Sequence, residues 1–373
     1  MSTAAGIPDF RSAGGLYGTS SMLLERFTYL DGAIQSVAWQ RAMLKDDIKS
    51  ALTHEFFQVN PLPYHEMRRG LIVGLGEDQW KLTLAHVLPE ILNRKGKLRL
   101  LASQNIDGLD HKVVSDKTKL YNPHGLMSSL VSEPIDSAIC MDPGHPVYRR
   151  YLELVKSNIK DIYADRPARG GKSSQLWPSP AVSTPITLEM FGDLLPEKFR
   201  TAREREKKSK TYSVKPGSVL FDRTLWRSNA AGQPCDAFNE VELCDLVLVM
   251  GTSLSGLTID NVAHMAGPLR IPRIVCDVGT APVESLKRRG GWEPKRDCHL
   301  QGPLDQGVLD VLFSLDWLDE VFAFLPHLCL GSLRTLRQFV SSHDVGGSNC
   351  QVARIDAAMA EEVQREKKFY GDE

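Results

Sequence analysis

Two apolar runs that end in polar turns place the strongest constraint on the fold of this chain. The run Leu246–Met250 leads into Gly251-Thr252-Ser253, and the run Leu98–Ala102 leads into Ser103–Leu109. Each run has the length and composition of a buried strand, and each turn carries hydroxyl, amide or carboxylate groups. In open α/β sheets, ligands bind at the carboxyl ends of such strands.

Helical patterns lie between the predicted strands. Apolar residues recur at helical spacing over 84–92 and over 308–315, and a third strand is predicted at 273–276. Alternating helices and strands are typical of a parallel sheet with helices on both faces. The sequence therefore predicts an α/β fold with a doubly wound, Rossmann-like parallel sheet and a second, reduced small domain.

The segment Ala5–Arg11 has the features of a cofactor clamp. Gly6 permits a close approach of the backbone, Pro8 fixes the chain direction, and Phe10 and Arg11 offer an aromatic face and a fixed charge. By itself, so short a segment is also compatible with an ordinary surface turn.

His124 is the best general base that the sequence offers. It lies in the turn Pro123-His124-Gly125, whereas other histidines, such as His54, His65, His86 and His111, fall in helical or connecting segments without a flanking glycine turn. An ordinary imidazole has a pKa of about 6.5 and can accept a proton at cellular pH.

In chain order, these segments resemble the sirtuins, which are NAD-dependent protein lysine deacylases. The resemblance covers roughly residues 1–315, and it implies NAD as the cofactor and an acyl-lysine protein or peptide, such as a histone, as the partner. It also implies release of nicotinamide and transfer of the acyl group to ADP-ribose. Residues 316–373 fall outside the resemblance and are predicted to form a C-terminal helical extension.

The resemblance implies a role for each segment. Asn105 and Asp107 are implied to be catalytic and to hold the nicotinamide carboxamide and its ribose, with His124 as the general base. Phe191-Gly192-Asp193 resembles the Phe-Gly-Glu segment beside the acyl-lysine tunnel. The residues implied to bind NAD are Ala5, Gly6, Asp9, Phe10, Arg11, Gln104, Asn105, Ile106, Asp107, Gly251, Thr252, Ser253 and Cys276.

Asn105 and Asp107 also have a purely structural interpretation. An amide and a carboxylate can bind a primary carboxamide, but Asn and Asp side chains also often cap the turn in which they lie. The two roles are compatible, and the sequence leaves both open.

The chain departs from the sirtuin pattern at the metal site. Sirtuins usually carry two Cys-x-x-Cys pairs between the catalytic histidine and the Phe-Gly-Glu segment, and these pairs bind a tetrahedral zinc ion. Here Cys140 is the only cysteine between His124 and Phe191, and His145 could join it. We therefore expect no metal, a small module at about 130–185 without zinc, and an insertion at about 197–234.

The chain also departs from the sirtuin pattern at its start. In the family an apolar strand and a Gly-Ala-Gly turn precede the equivalent of Met1-Ser2-Thr3, and those glycines let the backbone approach the pyrophosphate. We therefore expect either that the reading frame extends upstream of Met1, with an apolar strand and a Gly-rich turn, or that the protein binds NAD poorly.

Composition limits the classes of partner. The 373 residues include 45 basic and 46 acidic side chains, and the net charge of −1 gives no overall attraction to nucleic acid or to a membrane surface. No apolar run reaches the roughly 18 residues that span a bilayer. Seven cysteines without paired spacing predict free thiols in a reducing compartment, and therefore an intracellular protein, cytoplasmic or nuclear.

The resemblance thus implies an NAD-dependent protein lysine deacylase with its catalytic domain over 1–315. One alternative is a mono-ADP-ribosyltransferase, which releases nicotinamide in the same way but uses a different acceptor. The other is a non-catalytic module that binds NAD or a peptide, which the missing glycines and zinc ligands favour.

Overall fold

The computed structural model describes residues 2–7, 42–43, 46–133, 137–140, 142–159, 184–200, 213–255, 259–343 and 348–370. These residues fall into two compact units. The first unit comprises the described residues of 1–6, 80–123 and 226–373, and the second comprises those of 7–79 and 124–225.

The helices and strands are numbered in chain order. The α-helices with described bounds are α1 (His54–Val59), α2 (Leu62–Gly76), α3 (Leu84–Arg94), α4 (Leu109–Val113), α5 (Pro146–Asn158), α6 (Ala237–Val241), α7 (Asp260–Met265), α8 (Ala281–Arg289), α9 (Leu304–Ser314), α10 (Leu330–Ser342) and α11 (Ser348–Tyr370). The strands are β1 (Leu101–Ala102), β2 (Leu120–Tyr121), β3 (Leu130–Glu133), β4 (Ser137–Cys140), β5 (Ser213–Pro216), β6 (Val247–Met250), β7 (Arg273–Asp277) and β8 (Cys298–Gln301). The 3-10 helices cover Ser2–Ala5, Ile48–Leu52, Lys117–Lys119, Leu188–Leu194 and Leu318–His327.

Parallel strands form the framework of the first unit. β1 pairs with β2, and β6, β7 and β8 pair in that order, all in parallel. Buried apolar residues of β6, β7 and α8, including Val249, Val275 and Leu286, share one cluster. The predicted α/β fold with parallel strands is confirmed.

The strand before the polar loop is shorter than its apolar pattern predicts. It was expected over 98–102, but β1 begins only at Leu101. The N–H groups of Lys97 and Leu98 donate to the carbonyl of Leu92, at 2.8 and 3.1 Å, so this part of the chain is still hydrogen-bonded to the end of α3.

A buried ion pair connects Arg273, the first residue of β7, to Asp297, which directly precedes β8. The Arg273 side chain is fully buried, and its Nε and Nη2 atoms donate to the Asp297 carboxylate at 3.1 and 2.7 Å. Its Nη1 atom donates to the carbonyls of Ala263 and Gly290 at 3.1 and 2.7 Å. Each of these polar groups therefore has a partner in the core of the unit, as burial requires.

An antiparallel sheet and packed helices form the second unit. β3 lies between β4 and β5 and is antiparallel to both. β5 falls in the stretch predicted as an insertion, whereas β3 and β4 fall in the predicted small module, and pairing joins them in one sheet. The long-range pairing of β3 with β5 is not visible in the local sequence pattern.

Buried charges tie this sheet to the helices of the same unit. The Glu133 carboxylate at the end of β3 lies 3.0 Å from His54 Nδ1 and 3.8 Å from Lys215 Nζ. Lys215 Nζ also donates to the carbonyls of Pro216 and Ser218, at 3.1 and 2.8 Å. The lysine is therefore well hydrogen-bonded although it is buried.

The C-terminal extension is helical, as its apolar spacing indicates. It contains the 3-10 helix Leu318–His327 and the helices α10 and α11, which pack against each other. Leu333, Leu336 and Phe339 form the buried face of α10. Among the helices of the described ranges, none is long and apolar enough to cross a membrane.

Candidate functional site

The loop after β1 is held by residues that follow the neighbouring strand β2. The Ser103 N–H donates to the Tyr121 carbonyl at 2.9 Å, and the Asn122 amide donates to the Asn105 carbonyl at 3.4 Å. The Asn122 Oδ1 atom lies 2.8 Å from His111 Nε2. Asn122, which the sequence analysis did not single out, therefore helps to fix the backbone of the Gln104–Asp107 segment.

Asp107 caps the helix that follows it. Its Oδ1 atom accepts the N–H of Leu109 at 2.9 Å, and Gly108 between them has a φ of 76°. Its Oδ2 atom accepts the hydroxyl of Ser2 from the N-terminal 3-10 turn. The capping interpretation of Asp107 is confirmed, and both contacts fix the orientation of its carboxylate.

Two further titratable groups are buried near Asp107. Burial, together with the charge of Asp107, raises the pKa of Asp110 to about 6, against a hydrogen bond from Ser103. Burial lowers the pKa of His86 to about 4, although the Asp107 charge opposes this shift. His86 Nδ1 accepts the N–H of Thr83 at 3.1 Å. His86 is therefore neutral at cellular pH, and Asp110 binds a proton in mildly acidic solution.

Gln104 connects the β1 loop to the helix that follows β6. Its Nε2 atom donates to Oδ1 of Asp260 at 2.5 Å, and Asp260 is buried at the start of α7. The polar loops after β1 and after β6 are thus brought together, as expected for the carboxyl ends of parallel strands. Asp260 is a second residue that the sequence analysis missed, because it lies outside the Gly-Thr-Ser turn.

The Gly251-Thr252-Ser253 turn leaves β6 next to β7. The Gly251 N–H donates to the carbonyl of Cys276 at 3.1 Å, and Gly251 has a φ of 60°, a conformation that favours glycine. Thr252 Oγ1 accepts the N–H of Leu254 at 3.3 Å. Thr252 is half-buried and Ser253 is exposed, so both hydroxyls lie at the surface of the unit.

Cys276 lies at the same strand ends, but its thiol is buried. A Cβ atom at Gly307 of α9 would lie 3.6 Å from Cys276 Sγ, so the thiol packs against that helix. Burial raises the pKa of this thiol to about 11.

Part of the predicted cofactor clamp is described. Ala5 is buried, and Gly6 has a φ of 88° and lies beside the Trp80 ring, where a Cβ atom would be 3.6 Å from Cδ1. Ile106 is half-buried in the β1 loop. Asp9, Phe10 and Arg11 lie outside the described residues.

His124 belongs to the second unit, where its backbone is fixed. Its carbonyl accepts the N–H of Val219 at 2.8 Å. Gly125 has a φ of 69°, and a Cβ atom there would lie 2.0 Å from the carbonyl oxygen of Gly217. The turn that carries His124 therefore packs directly on the segment after β5.

Gly125→Ala is predicted to displace the His124 turn. The new methyl group would overlap the Gly217 carbonyl, and the left-handed backbone adds about 1–2 kcal/mol of strain. We expect a lower melting temperature together with a loss of turnover, measured by thermal unfolding and by NAD consumption. Gly144→Ala, in an exposed turn, is the control. A Gly125→Ala protein with unchanged stability and turnover would contradict this packing.

Phe191-Gly192-Asp193 lies in the 3-10 helix Leu188–Leu194. The Met190 carbonyl accepts Arg150 Nε at 3.4 Å, and that 3-10 helix contacts α5. Phe191 is buried and Asp193 is exposed. Val219, in the segment after β5, donates its N–H to the His124 carbonyl, and the sequence analysis did not single out this neighbour of His124.

The described residues do not fit a structural zinc ion. Within the ranges that the structure covers, no group of three or more His, Cys, Asp or Glu side chains is placed to hold a metal. Cys140 is buried in β4, and His145 Nδ1 accepts the N–H of Val147 at 3.2 Å as the N-cap of α5. Two candidate ligands would in any case leave a tetrahedral site incomplete.

We predict that the purified protein carries no stoichiometric zinc. A structural site normally needs four ligands, and the sequence between His124 and Phe191 supplies one cysteine. Metal analysis by mass spectrometry, combined with thermal unfolding in a chelator, tests this. About one zinc per chain, lost together with the fold, would contradict the prediction.

Comparison with known proteins identifies relatives over most of the chain. The model of the Sir2 family matches residues 1–257. The NAD-dependent deacetylase sir2A of Dictyostelium discoideum is 26% identical over 325 residues, which are 86% of this chain and 48% of that protein. The NAD-dependent deacetylase sir2D of the same organism is 32% identical over 129 residues, which are 35% of this chain and 20% of that protein.

A solved structure described as a Sir2, p53 peptide and NAD+ complex aligns with 84% of this chain and 89% of its own, at 15% identity and a TM-score of 0.48. The chain spans less than half the length of the two relatives named above. Since the family model covers well over half of the 373 residues, the chain belongs to the Sir2 family.

Proposed function

We propose that this chain is an NAD-dependent protein lysine deacylase that releases nicotinamide and transfers the acyl group to ADP-ribose. The proposal rests on one observation: hydrogen bonds connect the polar loops that follow the parallel strands β1, β2 and β6. Gln104 after β1 bonds to Asp260 after β6, and the Asn105 carbonyl bonds to Asn122 after β2. Membership of the Sir2 family supports the same conclusion.

The residues of these loops suit a dinucleotide. Amide and hydroxyl groups of Asn105, Thr252 and Ser253 are half-buried or exposed in the first unit, where they are accessible to ribose and phosphate oxygens. When bound, NAD supplies a ribose carbon that becomes electrophilic as nicotinamide leaves. Ala5 and Gly6 are proposed to contact it, and the resemblance assigns Asp9, Phe10 and Arg11, which lie outside the described residues, to NAD binding as well.

Asp107 is proposed to orient the nicotinamide carboxamide together with Asn105. A carboxylate accepts the amide N–H groups, and an asparagine amide donates to the carbonyl oxygen. The hydrogen bonds from Leu109 and Ser2 hold Asp107 in one orientation before the ligand arrives. Such preorganisation lowers the cost of binding.

His124 is proposed to accept the proton of a ribose hydroxyl. A neutral imidazole serves as a general base at cellular pH. The Val219 N–H and the close packing of Gly125 on Gly217 hold the turn that carries it. The backbone of His124 is thus fixed within its own unit.

We propose that an acyl-lysine protein binds through the second unit. Histones are among the substrates to be tested. Phe191, Gly192 and Asp193 are proposed from the resemblance, and the segment Val219–Asp222 from its contact with His124. Phe221 is 61% exposed, so it offers an apolar surface to a peptide.

Phe221→Ala is therefore expected to raise the peptide KM without lowering stability.

The test is a nicotinamide-release assay with a panel of acyl-lysine peptides, histone sequences included. Release that requires an acyl peptide, with matching loss of the acyl group, supports deacylation. Labelled protein without deacylation would indicate mono-ADP-ribosyl transfer. Peptide binding without turnover would indicate a non-catalytic module, and either of these results would overturn the proposal.

Asn105→Ala is predicted to weaken inhibition by nicotinamide. The loss of one hydrogen bond to the carboxamide should raise the inhibition constant by roughly tenfold. The constant is measured from the rate of deacylation against added nicotinamide, with the exposed Asn239→Ala as control. An unchanged inhibition constant would remove Asn105 from the nicotinamide pocket.

A further inference from the structure

The C-terminal extension pairs with the strand-like segment before α3. The Leu82 N–H donates to the His327 carbonyl at 2.9 Å, and the Cys329 N–H donates to the Leu82 carbonyl at 2.8 Å. Lys81 Nζ donates to the Pro326 carbonyl at 2.6 Å and lies 2.9 Å from the buried Glu362 carboxylate of α11. These contacts attach the extension to residues 81–82, next to Trp80.

The extension also caps α3. Ser332 of α10 is buried, and its hydroxyl accepts the Leu84 N–H at 3.3 Å while it donates to the Asp305 carboxylate. Asp305 in turn accepts the Ala85 N–H at 3.2 Å. Two N–H groups at the first turn of α3, which have no partners within the helix, are thus satisfied by residues after 304.

Trp80 and Cys329 lie beside the N-terminal turn. Trp80 is buried and lies beside Gly6, and the thiol of Cys329 is 3.7 Å from the Ala4 carbonyl. Ala5 between them is buried. The 3-10 turn Ser2–Ala5 has four residues, and the hydrogen-bond geometry of a 3-10 helix is poor, so packing against other elements helps to hold it.

We propose that the C-terminal helices position the N-terminal turn for the cofactor, with Ser332 and Lys81 as positioning residues. This inference rests on the proposed function, because it assigns Ala5 and Gly6 to NAD. The family model ends at residue 257, so the extension supplies this support from outside the matched region. Loss of this support is expected to weaken NAD binding. It should not slow the chemical step, because no residue of the extension is assigned to that step.

Two variants of the full chain test the positioning role by different chemistry. Ser332→Ala removes the hydroxyl between α10 and α3, and Lys81→Met removes the contacts with Pro326 and Glu362 while Glu362 keeps Arg365 at 2.6 Å. Ser341→Ala on the exposed face of α10 and Lys97→Met in an exposed turn are the matched controls.

Three quantities are measured for each protein. The first is the hydrogen exchange rate of the Gly6 amide, which donates to the Thr3 carbonyl at 3.1 Å. The second is the Kd for NAD, and the third is the KM for NAD, determined together with kcat. We expect both variants to raise the exchange rate and the Kd by roughly tenfold, the effect of about 1.4 kcal/mol. KM should rise similarly, while kcat at saturating NAD stays near that of the wild type and both controls behave as the wild type.

The outcomes separate this inference from the proposed function. A wild-type chain that binds no NAD would overturn the proposed function, and the Gly6 exchange rate would still test the support of the turn. Variants that unfold at lower temperature but show unchanged Gly6 exchange and unchanged Kd would overturn the positioning role. If Ser332→Ala does not fold, Lys81→Met gives the deciding measurement.

Discussion

His124→Ala is expected to reduce the rate of acyl transfer by roughly 10²–10⁴-fold, the usual contribution of a general base. The Kd for NAD should change little, because a base acts in the chemical step more than in ground-state binding. The rate is measured with an acyl-lysine peptide at saturating NAD, and the Kd by calorimetry.

His327→Ala is the control for that substitution, because the His327 side chain is exposed in the first unit. It should retain both the rate and the Kd of the wild type. If the Kd for NAD in His124→Ala rises as much as the rate falls, His124 binds the cofactor and is not the base.

Arg273→Met is expected to cause the largest loss of stability. Removal of one partner from a buried ion pair typically costs about 3–5 kcal/mol. Arg296 still donates to the Asp297 carboxylate at 3.1 and 2.8 Å, so we expect a loss at the lower end of that range. Here the Asp297 carboxylate would lose the donors at 3.1 and 2.7 Å, and the carbonyls of Ala263 and Gly290 would lose theirs. Urea unfolding measures the change.

Lys287→Met is the matched control, because Lys287 lies 3.0 Å from Glu284 at the surface and both side chains are about half exposed. An exposed pair contributes about 0–1 kcal/mol. Equal losses in the two variants would show that burial of the Arg273 pair does not matter.

The same ion pair predicts a dependence of stability on pH. Although burial opposes it, hydrogen bonds from Arg273 and Arg296 hold the pKa of Asp297 well below its usual range. The stabilisation is therefore complete above the unfolded value of about 3.9 and is lost as the pH falls toward the lower folded value. Asp297→Asn should be less stable at neutral pH and should lose less stability on acidification.

The fold was predictable where an apolar run ends in polar residues. β6 and β7 appear close to the predicted positions because short apolar runs such as that at 246–250, bounded by a turn signal, favour a strand, although β6 is mostly half-buried. The start of β1 was not predictable, because the N–H groups of Lys97 and Leu98 bond back to Leu92 at the end of α3, and the apolar pattern does not mark this helix end. Strand β2 has two residues, too few to show a period.

The site was also predictable only in part, because some of its residues are connected by contacts between segments distant in sequence. Asn105 and Asp107 stand out because they follow an apolar run, and the described contacts of Asp107 agree with its capping role. Asn122 and Asp260 act through hydrogen bonds to residues distant in sequence, and no local pattern marks them. The contact of Val219 with His124 likewise depends on the long-range pairing of β5 with β3.

The most direct test of the proposed function is the stoichiometry of a single turnover. Wild-type protein is mixed with NAD and an acyl-lysine peptide, and nicotinamide, deacylated peptide and acylated ADP-ribose are quantified by mass spectrometry. If the chain is a deacylase, all three products form in equal amounts, and none of them forms without the peptide. Nicotinamide release without deacylated peptide, or no release with any acyl peptide, would contradict it.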